Sequence, residues 1–87
     1  MHEMNRYLVV AIRKPEFQPS IIEQHQAFLD HLRQQGKIEL SGPFTDKSGG
    51  AYIVRAENFQ EAQSLVFNDP IHVTNSSTVT VYEWNAK

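Results

Sequence analysis

The stretch YLVVAI, Tyr7 to Ile12, is continuous, apolar and rich in β-branched side chains, with an arginine before it and another after it. Six such residues are too few for a secretory signal core or a membrane span, so the run reads as a strand. An unbroken apolar run, in place of apolar–polar alternation, suits a strand covered on both faces, and the expected place for it is the middle of a sheet.

Outward from that strand the punctuation is clear. Pro15 and Pro19 break the segment RKPEFQPS, Ser20 or Pro19 opens a helix over IIEQHQAFLDHL, and Gly36 ends it after about four turns. KIELSGPF alternates Ile38 and Leu40 against Glu39 and Ser41 and reads as a second strand, followed by the loop GPFTDKSGG and a third strand, AYIVRA. Asn58 with Glu61 three residues on has the spacing of a capping box, opening a second helix with Ala62, Leu65 and Val66 on one face. Asp69-Pro70 stops that helix, a turn PIHVTNSS follows, and TVTVYEW closes the chain as a strand of period two.

The resulting order, β-α-β-β-α-β, is the split βαβ pattern, whose usual solution is a four-stranded antiparallel sheet with both helices on one face. Apolar residues nevertheless occur at both parities of the strands: Leu8 with Val9, Tyr52 with Ile53, Val81 with Trp84. A single chain would therefore leave an apolar patch uncovered, and the expectation is a homodimer joined through the open sheet face.

At 87 residues the sequence makes one domain, 1–87, that buries only about 60–65% of its unfolded surface. Eight basic against ten acidic residues give a net charge of −2, which supplies no field to attract nucleic acid. Cysteine is absent, which excludes disulfides, thiolate catalysis and sulfur-ligated metals and makes a cytoplasmic location the default expectation.

His25 is the residue that points to chemistry. At 3.6 residues per turn it falls in the stripe made by Ile21, Ile22, Phe28, Leu29 and Leu32, where packing would favour another leucine. An unpaired polar group there costs roughly 1–3 kcal/mol, so the ring needs a dedicated partner, and a carboxylate would also fix its tautomer. Glu23, Asp30, Asp46 and Asp69 are the candidates. Asp30 lies about 140° round the same helix and points elsewhere. Asp69, at the end of a helix expected to pack beside the first, is the best-placed acid. Two readings stay open for each: His25 as a rim histidine bonded to a backbone carbonyl or as a base, and Asp69 as a cap for the turn DPIH or as the partner of His25.

The loop SGPFTDKSGG carries three glycines with hydroxyls at Ser41, Thr45 and Ser48, enough for backbone N–H groups to approach an anion or carbonyl oxygen, or simply to turn a hairpin. It is not a P-loop. Metal binding has little support: His31 is about 240° round the helix from His25, His2 lies in the terminus, and His72 stands alone. No GxSxG elbow marks a serine nucleophile. Tyr82 and Trp84 read as aromatics of a sheet face or interface.

Taken in order, YLVVAIRKP, HQAFLDHLRQQGKI, LSGPFTDKSGGAYIV, AENFQEAQSLVFNDPI and VTVYEW resemble the YciI-like (YCII-related) family of the dimeric α/β-barrel superfamily across nearly the whole chain. The resemblance implies an α+β, ferredoxin-like subunit that pairs sheet to sheet, with a pocket between sheet and helices in each subunit. It implies a His–Asp dyad at His25 and Asp69, acting as general acid/base without a cofactor or metal, and places Ser41, Gly42 and Pro43 along the pocket. One branch of the family resembles dehydrochlorinases of chlorinated aromatics, and the wider superfamily includes muconolactone isomerases.

Three functions follow: a small cofactor-free lyase or isomerase with His25 as base, a non-catalytic ligand-binding or regulatory dimeric module that holds an acidic metabolite, and a structural dimer in which His25 and Asp69 only hold the fold. A base needs one imidazole nitrogen open to a cavity, whereas a purely structural histidine has both nitrogens satisfied by protein.

Overall fold

The computed structural model describes residues 4–87; His2 lies outside the described residues. Seven elements follow one another: β1 (Asn5–Arg13), α1 (Ile21–Gln34), β2 (Ile38–Pro43), β3 (Gly49–Ala56), α2 (Phe59–Val66), α3 (Pro70–Val73) and β4 (Ser77–Trp84). The strands form one sheet in the order β2-β3-β1-β4, with every neighbouring pair antiparallel. The fold is the ferredoxin-like α+β arrangement, and β1 is central, as its apolar run requires.

Register sorts the side chains into two faces. Tyr7, Val9 and Ala11 stand opposite Val54, Tyr52 and Gly50 of β3 and Glu83, Val81 and Val79 of β4. This face meets the helices: Tyr7, Val9, Tyr52 and Val54 are buried with Leu29 and Leu32 of α1 and Ala62 and Val66 of α2. The alternate residues form the other face, where Leu8, Val10 and Ile53 are half-buried while Ile12, Leu40, Tyr82 and Trp84 are exposed.

The helix ends follow from their sequences. Ser20 stands at the N-terminus of α1, and Gly36 beyond its C-terminus takes a φ of 74°, the left-handed conformation that glycine adopts without a Cβ penalty. Asn58 caps α2, its Oδ1 accepting from the Glu61 N–H at 2.8 Å.

Two features differ from the sequence reading. The alternation of KIELSGPF would set Ile38 and Leu40 on one face, but the register of β2 against β3 shifts between them. Ile38 is buried opposite Val54, whereas Leu40 pairs with Ile53 and is 68% exposed on the open face. A bulge reverses the side-chain parity of everything after it. The segment after Asp69 is also more than a turn: Pro70 supplies a fixed φ at the first helical position, the Asp69 carboxylate caps Ile71, and α3 forms. This short helix packs against α1 and β4.

Candidate functional site

Asp69 sits where α2 has ended and α3 begins, and no part of it is exposed. Three groups occupy its carboxylate. Oδ1 lies 2.8 Å from His25 Nδ1 and accepts from the Ile71 N–H at 3.1 Å, while Oδ2 accepts from the Tyr52 hydroxyl at 3.2 Å. A carboxylate has only acceptors, so the proton of the His25 contact is on Nδ1 and the ring donates. Each of the three donors comes from a different element, α1, β3 and α3, so the carboxylate also ties these elements together.

The His25 side chain is 18% exposed. Its Nε2 has no hydrogen-bond partner among the described residues, yet no buried side-chain nitrogen or oxygen among them lacks one. Nε2 is therefore accessible, and the ring it belongs to borders an open space. That space is a cavity of about 240 Å3 under the N-terminal half of α1. His25, Gln26, Ile22 and Leu29 contribute one part of its wall, Tyr52, Gly42, Pro43, Gly49, Gly50 and Ala51 the sheet part, and Arg13, Phe17, Ile71 and Ser77 the rest.

Tyr52 backs the pair. It is buried, its ring centroid lies 6.2 Å from that of His25, and its phenol is pushed far above the ordinary tyrosine value, first by burial and then by the charge of Asp69. The hydroxyl thus stays protonated and keeps donating to Oδ2.

The structure brings together His25, Asp69, Gly42 and Pro43, with the aspartate behind the wall and the other three on it. Ser41 is placed differently. It stands on the helix side of β2 opposite Tyr52, outside the wall of this cavity, and its hydroxyl accepts from Arg33 Nη2 at 2.5 Å. Asp30 is an exposed ion-pair partner of the same arginine, at 2.8 Å. Asp46 turns the β2–β3 loop by accepting from the Ser48 N–H, and its bonds to Ser48 hold its carboxyl below the usual range. Gly49 is required for packing, because a Cβ there would lie 1.9 Å from the Ala11 carbonyl oxygen. No group of three or more potential metal ligands occurs among the described residues.

Arg13, Phe17 and Tyr52 are site residues that the sequence reading did not assign. A signal for two of them existed. Tyr52 falls on the inward parity of β3, where a buried phenol demands an acceptor, and Arg13 continues the inward series Tyr7, Val9, Ala11.

Fold and site together describe a ferredoxin-like domain with a histidine–aspartate pair at the wall of a small, mostly apolar cavity. The YCII-related domain matches residues 5–85, and the chain belongs to that family. The uncharacterized protein YjpA of Bacillus subtilis strain 168 is 34% identical over 84 residues, covering 97% of this chain and 99% of the relative. Among solved structures, 5-chloro-2-hydroxyhydroquinone dehydrochlorinase (TftG) from Burkholderia phenoliruptrix AC1100, in complex with 2,5-dihydroxybenzoquinone, is similar with a TM-score of 0.74 and 25% identity. That similarity covers 94% of this chain and 95% of the other.

Proposed function

We propose that the domain is a small cofactor-free enzyme of the lyase or isomerase type, in which His25 moves a proton on a small cyclic substrate. The observation that carries this reading is the division of labour on the ring, with Nδ1 held by Asp69 and Nε2 unbonded on a residue that lines the cavity. A histidine that only served packing would have both nitrogens satisfied by protein. The dehydrochlorinase named above, a lyase-type enzyme whose structure is a complex with a small ring compound, is the comparison that supports it.

In this mechanism Nε2 accepts a proton from a substrate carbon next to a carbonyl, and the C–H electron pair becomes the π bond of an enolate. The imidazolium then returns the proton to another carbon, completing an isomerisation. In an elimination the pair instead expels a leaving group, and the proton passes to solvent. Asp69 keeps the ring in the Nδ1–H tautomer and balances the charge it gains, with Tyr52 and the Ile71 N–H fixing the carboxylate in turn. Gly42 and Pro43 form substrate contacts on the sheet side.

The working unit in this proposal is a homodimer. Leu40, Tyr82, Trp84 and Ile12 are 68%, 53%, 45% and 43% exposed on the sheet face that carries no helix, and a second copy would cover them.

The test is a thermal-shift screen of small cyclic carbonyl and phenolic compounds, followed by proton NMR in D2O on each hit. Stabilisation follows RT ln(1 + [L]/Kd), so weak ligands register at high concentration. The proposal expects deuterium to enter a bound compound, or a leaving group to be released, with wild-type protein but not with His25→Gln. Hits that bind tightly and never exchange would instead support a binding module.

A further inference from the structure

Resting on the reading of this cavity as the substrate site, we infer that its ligand is a single-ring compound carrying one negative charge, and that Arg13 is the residue that pairs with that charge.

Charge comes first. The cavity wall includes Arg13 and no aspartate or glutamate. Asp69 lies behind the wall with both oxygens engaged. A histidine poised as base is neutral, so the one fixed charge at the wall is the guanidinium. A neutral ligand filling this space would strip water from Arg13 and give nothing back, whereas an anion would replace that water with charge-assisted hydrogen bonds.

The guanidinium is also held ready. Its carbon lies 4.4 Å from the centroid of the Phe17 ring, a cation–π contact, and the Arg13 side chain donates no hydrogen bond to another described residue. Among the described residues, Arg6 and Arg33 pair with Glu39 and Asp30, but no carboxylate pairs with Arg13. Register sets Arg13 directly opposite Ser77 of β4, a buried serine that lines the same cavity.

Size sets the rest. An apolar cavity of about 150 Å3 accepts benzene. The 240 Å3 here therefore holds one ring together with a carboxylate or oxyanion substituent.

Benzoate and benzamide share this shape and differ in charge, so the pair isolates the contribution of Arg13. Their affinities are measured by calorimetry for wild type, Arg13→Gln, Arg13→Lys and His25→Gln. Wild type is expected to prefer benzoate by about tenfold or more, the factor that one charge-assisted contact supplies. Arg13→Gln should remove the preference by weakening benzoate and leaving benzamide within about twofold, Arg13→Lys should keep part of it, and His25→Gln should keep it. In wild-type protein the Arg13 Nε–H resonance should move on adding benzoate and stay in place with benzamide, a readout that requires no variant to fold. Equal affinities in wild type, no benzoate binding at millimolar concentration, or a preference that survives in Arg13→Gln would overturn the inference. Because His25→Gln tests turnover and not charge selection, failure of the proton-transfer proposal and failure of this one give different patterns.

Discussion

Replacing Asp69 with asparagine and with alanine separates its charge from its shape. In wild type, Oδ1 serves the Ile71 N–H and His25 together, and Oδ2 serves Tyr52. An amide has one orientation compatible with this: its oxygen stays at the Oδ1 position, keeping the cap and the histidine contact, and its NH2 group faces the Tyr52 oxygen, which can accept in place of donating. Asp69→Asn should therefore cost about 1 kcal/mol. Alanine leaves the Tyr52 hydroxyl and the Ile71 N–H without an acceptor in residues that are 3% and 4% exposed. Each orphaned donor costs about 1–3 kcal/mol, so Asp69→Ala should lose about 3–5 kcal/mol with the cap and the His25 contact included. At about 4–8 °C per kcal/mol for a domain of this size, the alanine variant should melt at least 12 °C or so below wild type and the asparagine variant within about 8 °C. Urea unfolding followed by circular dichroism gives both values. Asp69→Asn should nonetheless lose about 10²–10⁴ in proton-transfer rate, because an amide does not balance the imidazolium. If alanine and asparagine were equally stable within about 1 kcal/mol, the carboxylate would not be the hub described above.

Other variants probe the surroundings. The raised phenol of Tyr52 favours the folded state below the unfolded tyrosine value near 10 and loses that contribution as pH rises above it, so stability should fall by up to about 1.4 kcal/mol per pH unit there. Tyr52→Phe should make this alkaline decline shallower in urea melts at pH 9–12, as well as costing about 1 kcal/mol at neutral pH through the lost bond to Asp69. Gly49→Ala forces a Cβ against the Ala11 carbonyl and should destabilise by about 3 kcal/mol or more, seen in the same melts. Leu40→Glu places a charge on the open sheet face and should turn a dimer into a monomer by light scattering at micromolar concentration; a wild-type monomer would refute the proposed assembly.

Much of the fold was legible because local and global signals agree. The apolar run of β1, the Asn58 cap and the Gly36 stop each name an element boundary from residues a few positions apart. The bulge in β2 was not legible, since the residues Ile38, Glu39 and Leu40 alternate as an ordinary strand would and the shift is imposed by pairing with β3. Helix α3 escaped notice for a similar reason: four residues carry no period, and Asp69-Pro70 reads equally as a stop and as a start. At the site, helical geometry singled out His25 and reach singled out Asp69. Strand parity marks Tyr52 and Arg13 as inward-facing, but that they meet at one cavity depends on the pairing between strands, which no single segment carries. The parity reversal in β2 turns Ser41 to the helix side of the strand, where its hydroxyl meets Arg33 of α1.

The state of the His25 ring is the most direct measure of the central claim, and long-range ¹H–¹⁵N NMR reads it without knowledge of the substrate. Near pH 8 the spectrum should show the proton on Nδ1 and an unprotonated Nε2, with the Nε2 signal moving when a cavity ligand such as benzoate is added. A ring with its proton on Nε2, or an Nε2 signal indifferent to a ligand shown to occupy the cavity, would contradict the claim that Asp69 holds His25 as a base facing the substrate.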